Sequence, residues 1–338
     1  MNANGKEAVV SLLLQRKSQK VLSGLLLCIL AVVAGGARSA PSGGEPPAWA
    51  YVIPPPDAKP ARDDGKIRRV PDSAAGYTLK EVTDRFSAPD WHPGDHPKMP
   101  DIVAHGRKPD VNACGYCHRA DGPGGPENAS LAGLPYDYIL EQMADYKNGK
   151  RSTALPKRLP QANMIALAKA ATDEEIQGAA KYFSSLKPRE NIRVVETARV
   201  SKTYVAGWVL AAKEGKEKEP LGRRIVEMPE DLERFESRDA RATFVAYVPI
   251  GSLREGEAII RGDRVGPPCA NCHGKDLHGH ELAPSIAGRS PSYIVRQLYE
   301  MQTGARTGSG VMLMKAAVAR LSPDEMIDVA AYLASLKP

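Results

Sequence analysis

The sequence predicts a mainly α-helical protein: two small domains in tandem, a β-containing insert between them and an extended proline-rich segment in front. Three observations carry this. CGYCH (114–118) returns in frame 155 positions later as CANCH (269–273). The match then continues well past the cysteines. Apolar residues in both copies recur at helical spacing.

At the 155-residue offset Asp121 meets Asp276, Ser130 meets Ser285, and Ala132 and Gly133 meet Ala287 and Gly288. Tyr138, Ile139 and Gln142 meet Tyr293, Ile294 and Gln297, and Arg151 meets Arg306. Beyond Arg151 the offset becomes 150, so Met164 falls on Met314 and SLKP (185–188) on SLKP (335–338). Duplication of one ancestral unit explains the pattern, and places the domains at 100–188 and 251–338.

Each unit has the same helical plan. A short helix is expected before each cysteine motif, around PDIVAHGR and SLREGEAIIRG. After the motif, Ile139, Met143 and Tyr146, and likewise Ile294, Leu298 and Met301, line one face of a helix that ends near a glycine. A last helix opens with a capping box, Thr172-x-x-Glu175 and Ser322-x-x-Glu325, and stops before Lys-Pro. Its buried face reads Ile176, Ala180, Phe183 in one copy and Met326, Ala330, Leu333 in the other.

Two stretches stand outside the repeat. Residues 41–99 are rich in proline and read as an extended segment that wraps or links a domain. Residues 189–250 contain the strand-like runs IRVVETARV and ATFVAYVPI around a solvated charge run, KEGKEKEP.

Arg16, Lys17 and Lys20 precede an apolar run, VLSGLLLCILAVV (21–33), and small residues follow it. That is the plan of a secretory signal peptide over residues 1–40. Thirteen residues are few beside the ~20 of a bilayer span; membrane association follows only if the segment is retained. The formal charge of +6 is mostly this segment, which alone carries +4, so the rest gives no argument for nucleic acid. Export leaves four mature cysteines, Cys114, Cys117, Cys269 and Cys272.

A Cys-x-x-Cys-His run reads as c-type haem attachment. Two thiols add across two vinyl groups of one porphyrin, and the adjacent histidine is carried beneath the ring to bind iron. Competing readings fit poorly. A zinc ribbon wants its cysteine pairs some 15–20 residues apart, whereas 151 intervene here. A thioredoxin-like motif wants a βαβ setting. Cofactor-binding residues are therefore Cys114, Cys117, Cys269 and Cys272 for two haems, with His118 and His273 as iron ligands. Met164 and Met314 occupy equivalent positions, each eight residues before the cap of the last helix, in what reads as a loop. They are the candidate sixth ligands, with Met312 as a rival to Met314. His92, His96, His105, His278 and His280 have no counterpart in the other copy and read as surface or hydrogen-bonding residues. A thioether ligand raises the reduction potential relative to a second imidazole. It also fills the last position on iron, favouring electron transfer over catalysis.

These residues resemble the tandem di-haem cytochromes of the c4 type, through CGYCHRADG, SLAGLPYDYILEQMADYKNGKR and Met164 before ATDEEIQGAAKYF. The second copy has CANCHGKDL, APSIAGRSPSYIVRQLYEMQTGAR and MLMKAAVARLSPDEM. The resemblance covers about half the chain. It implies two class I cytochrome c folds facing each other in the periplasm, passing single electrons between redox proteins such as a respiratory complex, a terminal oxidase or a periplasmic dehydrogenase. In that family a proline carbonyl supports the ligating histidine; Pro284 matches, and Ala129 stands in its place in the first copy. The alternative is a di-haem oxidoreductase of the thiosulfate dehydrogenase or peroxidase kind, or the cytochrome subunit of a periplasmic dehydrogenase. The segments outside the repeat suggest specialisation for docking to a partner.

Overall fold

The computed structural model describes residues 45–59, 61–264, 266–280 and 283–338; the signal-like segment, with Cys28, lies outside them. The N-terminal segment is mostly extended, as its prolines dictate, but it is not featureless. A 3₁₀ turn, Ala48–Ala50, is followed by a short helix α1 (Leu79–Thr83) with a capping box at Thr78. Val70, Val82 and Trp91 make a small core of their own. The segment spans both domains. Tyr51 is buried in the second domain's core, while Trp91 donates from Nε1 to the Ser237 carbonyl of the insert at 2.8 Å.

The first domain runs α2 (Asp101–Ala104), α3 (Cys114–His118), α4 (Tyr136–Lys147), α5 (Leu159–Ala170) and α6 (Asp173–Ser185). Both capping bonds expected at α6 are present: Glu175 N donates to Thr172 Oγ1 and Thr172 N to Glu175 Oε2. Its Ala180 and Phe183 are buried against Val103, Ile139 and Leu134.

The insert comprises β1 (Ile192–Glu196), β2 (Arg199–Ser201), β3 (Thr203–Ala206), β4 (Val209–Ala212), β5 (Lys218–Pro220), β6 (Val226–Pro229), α7 (Leu232–Glu236) and β7 (Phe244–Val248). Three strands form one sheet in the order β1-β7-β6. Its first pair is parallel, with Ile192 opposite Phe244, and its second antiparallel, with Val226 opposite Tyr247. The pairs β2-β5 and β3-β4 are antiparallel ribbons. The charge run is thus not wholly a loop: its last three residues, Lys218–Pro220, pair with Arg199–Ser201. The sheet packs Val194, Ala246 and Val248 into the second domain's core.

The second domain repeats the first as α8 (Ser252–Arg261), α9 (Ala270–His273), α10 (Pro291–Thr303), α11 (Ser309–Val318) and α12 (Pro323–Ser335). Here α8 is longer than its counterpart α2 and crosses α12 closely. A Cβ on Gly256 would stand 2.0 Å from the Asp328 carbonyl, so only glycine permits the approach. No helix among the described residues is long and apolar enough to cross a membrane.

The domains meet across a pseudo-twofold seam. Chain segments 150–152 and 305–307 run antiparallel, with Ser152 N donating to Ala305 O and Thr307 N to Lys150 O, both at 2.7 Å. Arg151 donates to Gln142 Oε1 of its own domain (2.9 Å) and to Tyr293 OH (3.0 Å) and Gln297 Oε1 (2.9 Å) across the seam. Arg306 mirrors it, donating to Gln297 Oε1 (3.0 Å), Tyr138 OH (3.0 Å) and Gln142 Oε1 (2.8 Å). Every member was visible as a repeated pair in the sequence, and the structure makes the repetition an isologous contact.

The insert also clamps the N-terminal segment. Asp95 accepts from Arg241 through Nε and Nη2, each at 2.7 Å, and from Arg189. These guanidiniums, with Arg241 dominant, hold its carboxyl down at about 2. A depressed acid contributes stability above its unfolded value near 4, lost as pH falls through the folded one. The stability difference between wild type and Asp95→Asn is therefore expected to be flat above pH ~4.5 and to shrink toward pH ~2. Denaturant midpoints at a series of pH values check it; a difference that peaks in the acid range refutes the clamp.

Candidate haem sites

Each cysteine motif winds into a single helical turn. Cys114 and Cys117, three apart, share one side of α3, and His118, one turn beyond Cys114, stands beside them. In the second domain Cys269 caps α9 and Cys272 and His273 lie within it. The residue after each histidine reverses the chain with positive φ: Gly274 at φ 82°, ψ 159°, and Arg119 at φ 69°, ψ 162°. Glycine adopts that region freely. A side chain there costs about 1–3 kcal/mol, so Arg119 must be held. It is buried, with Glu127 Oε1 3.4 Å from Nη2 and the Phe235 ring of the insert 5.2 Å from its guanidinium carbon.

The loop after the turn returns to support the imidazole. His118 Nδ1 donates to the Ala129 carbonyl and His273 Nδ1 to the Pro284 carbonyl, each at 2.8 Å. The alanine performs the proline's part. Positive φ at Gly124 (64°) and Gly279 (76°) lets this loop close; a Cβ would lie 2.5 Å from Ala129 O at the first and 2.4 Å from Ala283 O at the second. The Nδ1 bond fixes the tautomer and leaves Nε2 as the ring nitrogen with a free lone pair. Burial lowers the pKa of both histidines, which keeps the rings neutral, the form that binds metal. Burial pushes Cys114 up to about 12 and Cys269 up to about 11.

The methionines require a correction. Met164 and Met314 were expected in loops, but they lie inside α5 and α11. Pro160 in the first turn of α5 was the missed signal, since its fixed φ suits a helix start. Both methionines are half-buried, and Met314 packs against the second domain's core alongside Cys269 and Ala270. Met312 is 75% exposed. Two residues apart on a helix means ~200° of arc, so Met312 and Met314 face opposite ways.

The other histidines are engaged or outside. His92 is buried 3.0 Å from Asp239, and His96 lies 2.9 Å from the Pro97 carbonyl and 3.2 Å from Asp90. His278 Nε2 lies 3.0 Å from the Lys337 carbonyl, and His105 and His280 are exposed.

Residues that the sequence did not flag complete the first site. Asn128 Nδ2 donates to the Cys117 carbonyl at 3.1 Å. Arg158, at the head of the Met164 helix, donates to the Glu127 carbonyl at 3.0 Å while its Nε has no partner. Burial, aided by nearby Arg296, brings the Arg158 pKa down to about 9. Arg151, Arg306 and Arg289 likewise bury unpaired guanidinium nitrogens at the seam. Such donors want anions. A porphyrin bearing two carboxylates fits them, as the thiols and the free Nε2 atoms fit its vinyl groups and iron.

The cytochrome c family model matches residues 103–187 and again 259–337. Cytochrome c-554(548) of Halomonas halodenitrificans is 32% identical over 81 residues, which is 24% of this chain and 96% of that protein. The chain belongs to the cytochrome c family. Cytochrome c4 of Pseudomonas aeruginosa is 24% identical over 230 residues, covering 66% of this chain and 83% of that one. A thiosulfate dehydrogenase electron acceptor of Thiomonas intermedia is 26% identical over 234 residues, 67% of this chain and 80% of that one. The present cytochrome is thus a tandem, mainly helical c4-like protein that carries two covalently bound c-type haems, transfers electrons and works with redox protein partners.

Proposed function

We propose that His118 and Met164 hold one iron and His273 and Met314 the other, with thioether links from Cys114 and Cys117 and from Cys269 and Cys272. The observation that carries this is the paired Nδ1-to-carbonyl bond, which presents Nε2 of both histidines in the same way. The equivalent half-buried placing of the two methionines supports the sixth ligands. Held between these residues, a haem would supply one-electron chemistry and leave no position for substrate. The chain's own work would be to keep a histidine nitrogen and a methionine sulfur in place through that change. Arg158, Arg151, Arg306 and Arg289 would meet the porphyrin carboxylates.

The protein serves in the periplasm, delivered by the signal-like segment, as a shuttle or as the cytochrome subunit of a dehydrogenase or oxidase. The relative named as an electron acceptor for thiosulfate dehydrogenase favours a dehydrogenase as donor. A redox titration followed optically tests the ligand set. Both haems are expected to be low-spin when ferric and to refuse carbon monoxide when ferrous. A high-spin centre, or rapid carbon monoxide uptake at either iron, would point instead to an oxidoreductase.

A further inference from the structure

The two cysteine turns share a frame and differ in exposure. In the first domain Tyr116, Ala120 and Gly125 are buried; their counterparts Asn271, Lys275 and His280 are exposed, and so is Cys272. The insert causes part of the difference. Its Arg238 donates to the Tyr116 carbonyl at 3.0 Å and to the Tyr116 hydroxyl at 2.7 Å, with the guanidinium 3.7 Å from the ring centre. Phe235 backs the strained Arg119, and Arg189 binds Asp121 while donating to the Ala240 carbonyl at 3.0 Å. The turn that attaches the first haem is roofed.

The second domain carries instead what its twin lacks. Met312 and Leu313 are 75% and 78% exposed on α11, where the first domain has Ala162 and Asn163. Lys275, Lys315 and Arg320 replace Ala120, Ile165 and Ala170. Among the described residues no carboxylate stands within salt-bridge distance of these three cations; Asp276, next to Lys275 in the chain, lies 3.1 Å from His278 instead. Exposed apolar side chains on α11, unpaired cations on α11 and after the cysteine turn, and the uncovered turn itself are the components of a transient docking face.

We propose that the second domain is the port of this cytochrome: a redox protein with an acidic rim docks over Met312, Leu313, Lys275 and Lys315, and the first haem exchanges electrons with partners only through the second. Electron tunnelling falls steeply with distance, so a covered cysteine turn in one domain and an open one in the other would set the route. Opposite charge across the rim speeds encounter more than it tightens the complex. The proposal rests on the electron-carrier reading.

Flavodoxin, a small acidic flavoprotein, is the probe. Its hydroquinone is mixed with the ferric holoprotein at low ionic strength, and amide hydrogen exchange maps the contact. Slowed exchange is expected over 270–280 and 309–320, with 114–125 unchanged. Lys275→Glu with Lys315→Glu should slow reduction about tenfold, an effect that fades in high salt. Lys157→Glu with Lys169→Glu, the same charge change beside the first domain's methionine helix, should alter it less than about twofold. Equal slowing by both pairs, or a footprint on the first domain, overturns the port. So does wild-type protein that neither reacts nor shows a footprint; low-spin spectra and a normal titration would then leave the carrier reading intact.

Discussion

Replacing Met314 with alanine is expected to remove half of the methionine-to-iron charge-transfer absorption of the ferric protein. Met164→Ala removes the other half, and the double variant has none. Met312→Ala changes nothing. The reasoning is geometric. Met312 and Met314 sit on opposite sides of α11, and only Met314 is packed toward the core that holds Cys269. Losing the thioether also lowers the reduction potential of that haem alone and opens its iron to carbon monoxide. A single titration on each variant reads all three effects. Should Met312→Ala abolish the band while Met314→Ala keeps it, the assignment is reversed.

Arg306→Met is expected to cost about 2–4 kcal/mol at the seam. Arg306 is buried and makes three hydrogen bonds, to Gln297, Tyr138 and Gln142. Bonds to a charged donor contribute about 1.5–3 kcal/mol each. Their sum overstates the loss, because removing one guanidinium also removes its desolvation penalty and its repulsion of Arg151. The sharper expectation concerns coupling. Gln142 and Gln297 each accept from both arginines, so after one arginine is gone the second removal, which strips both glutamines of their remaining arginine donor and relieves no repulsion, should cost at least ~1 kcal/mol more than it does alone. Denaturant midpoints for Arg151→Met, Arg306→Met and the pair measure this. Strict additivity would mean that the two arginines act independently.

Much of this was legible because it is local or repeated. The capping boxes at Thr172 and Ser322 need only four residues. The Cys-x-x-Cys-His turns need five. The Ala129 carbonyl stands where the repeat puts Pro284, and it accepts from His118 as Pro284 does from His273. The seam was present in the repeat as Gln142, Arg151 and Tyr138 with their twins, but a matched pair does not say that its members touch. Contacts of long sequence separation left no trace. Arg238 reaches Tyr116 across 122 residues and Trp91 reaches Ser237 across 146; nothing in GYC or SRD announces either. The methionine helices were missed for a different reason. Neither α5 nor α11 has a side-chain cap, so the start signal was only Pro160 in one and a glycine in the other.

The roof over Tyr116 bears on biogenesis. Residues 232–242 are synthesised more than a hundred positions after the cysteine turn they contact, so the nascent chain has an interval in which that turn is wholly uncovered. Loading is expected to be easier before the insert closes. A chain that folded first is expected to fill its first centre more slowly than its second, uncovered one. Timing, for this molecule, is written into the order of its segments.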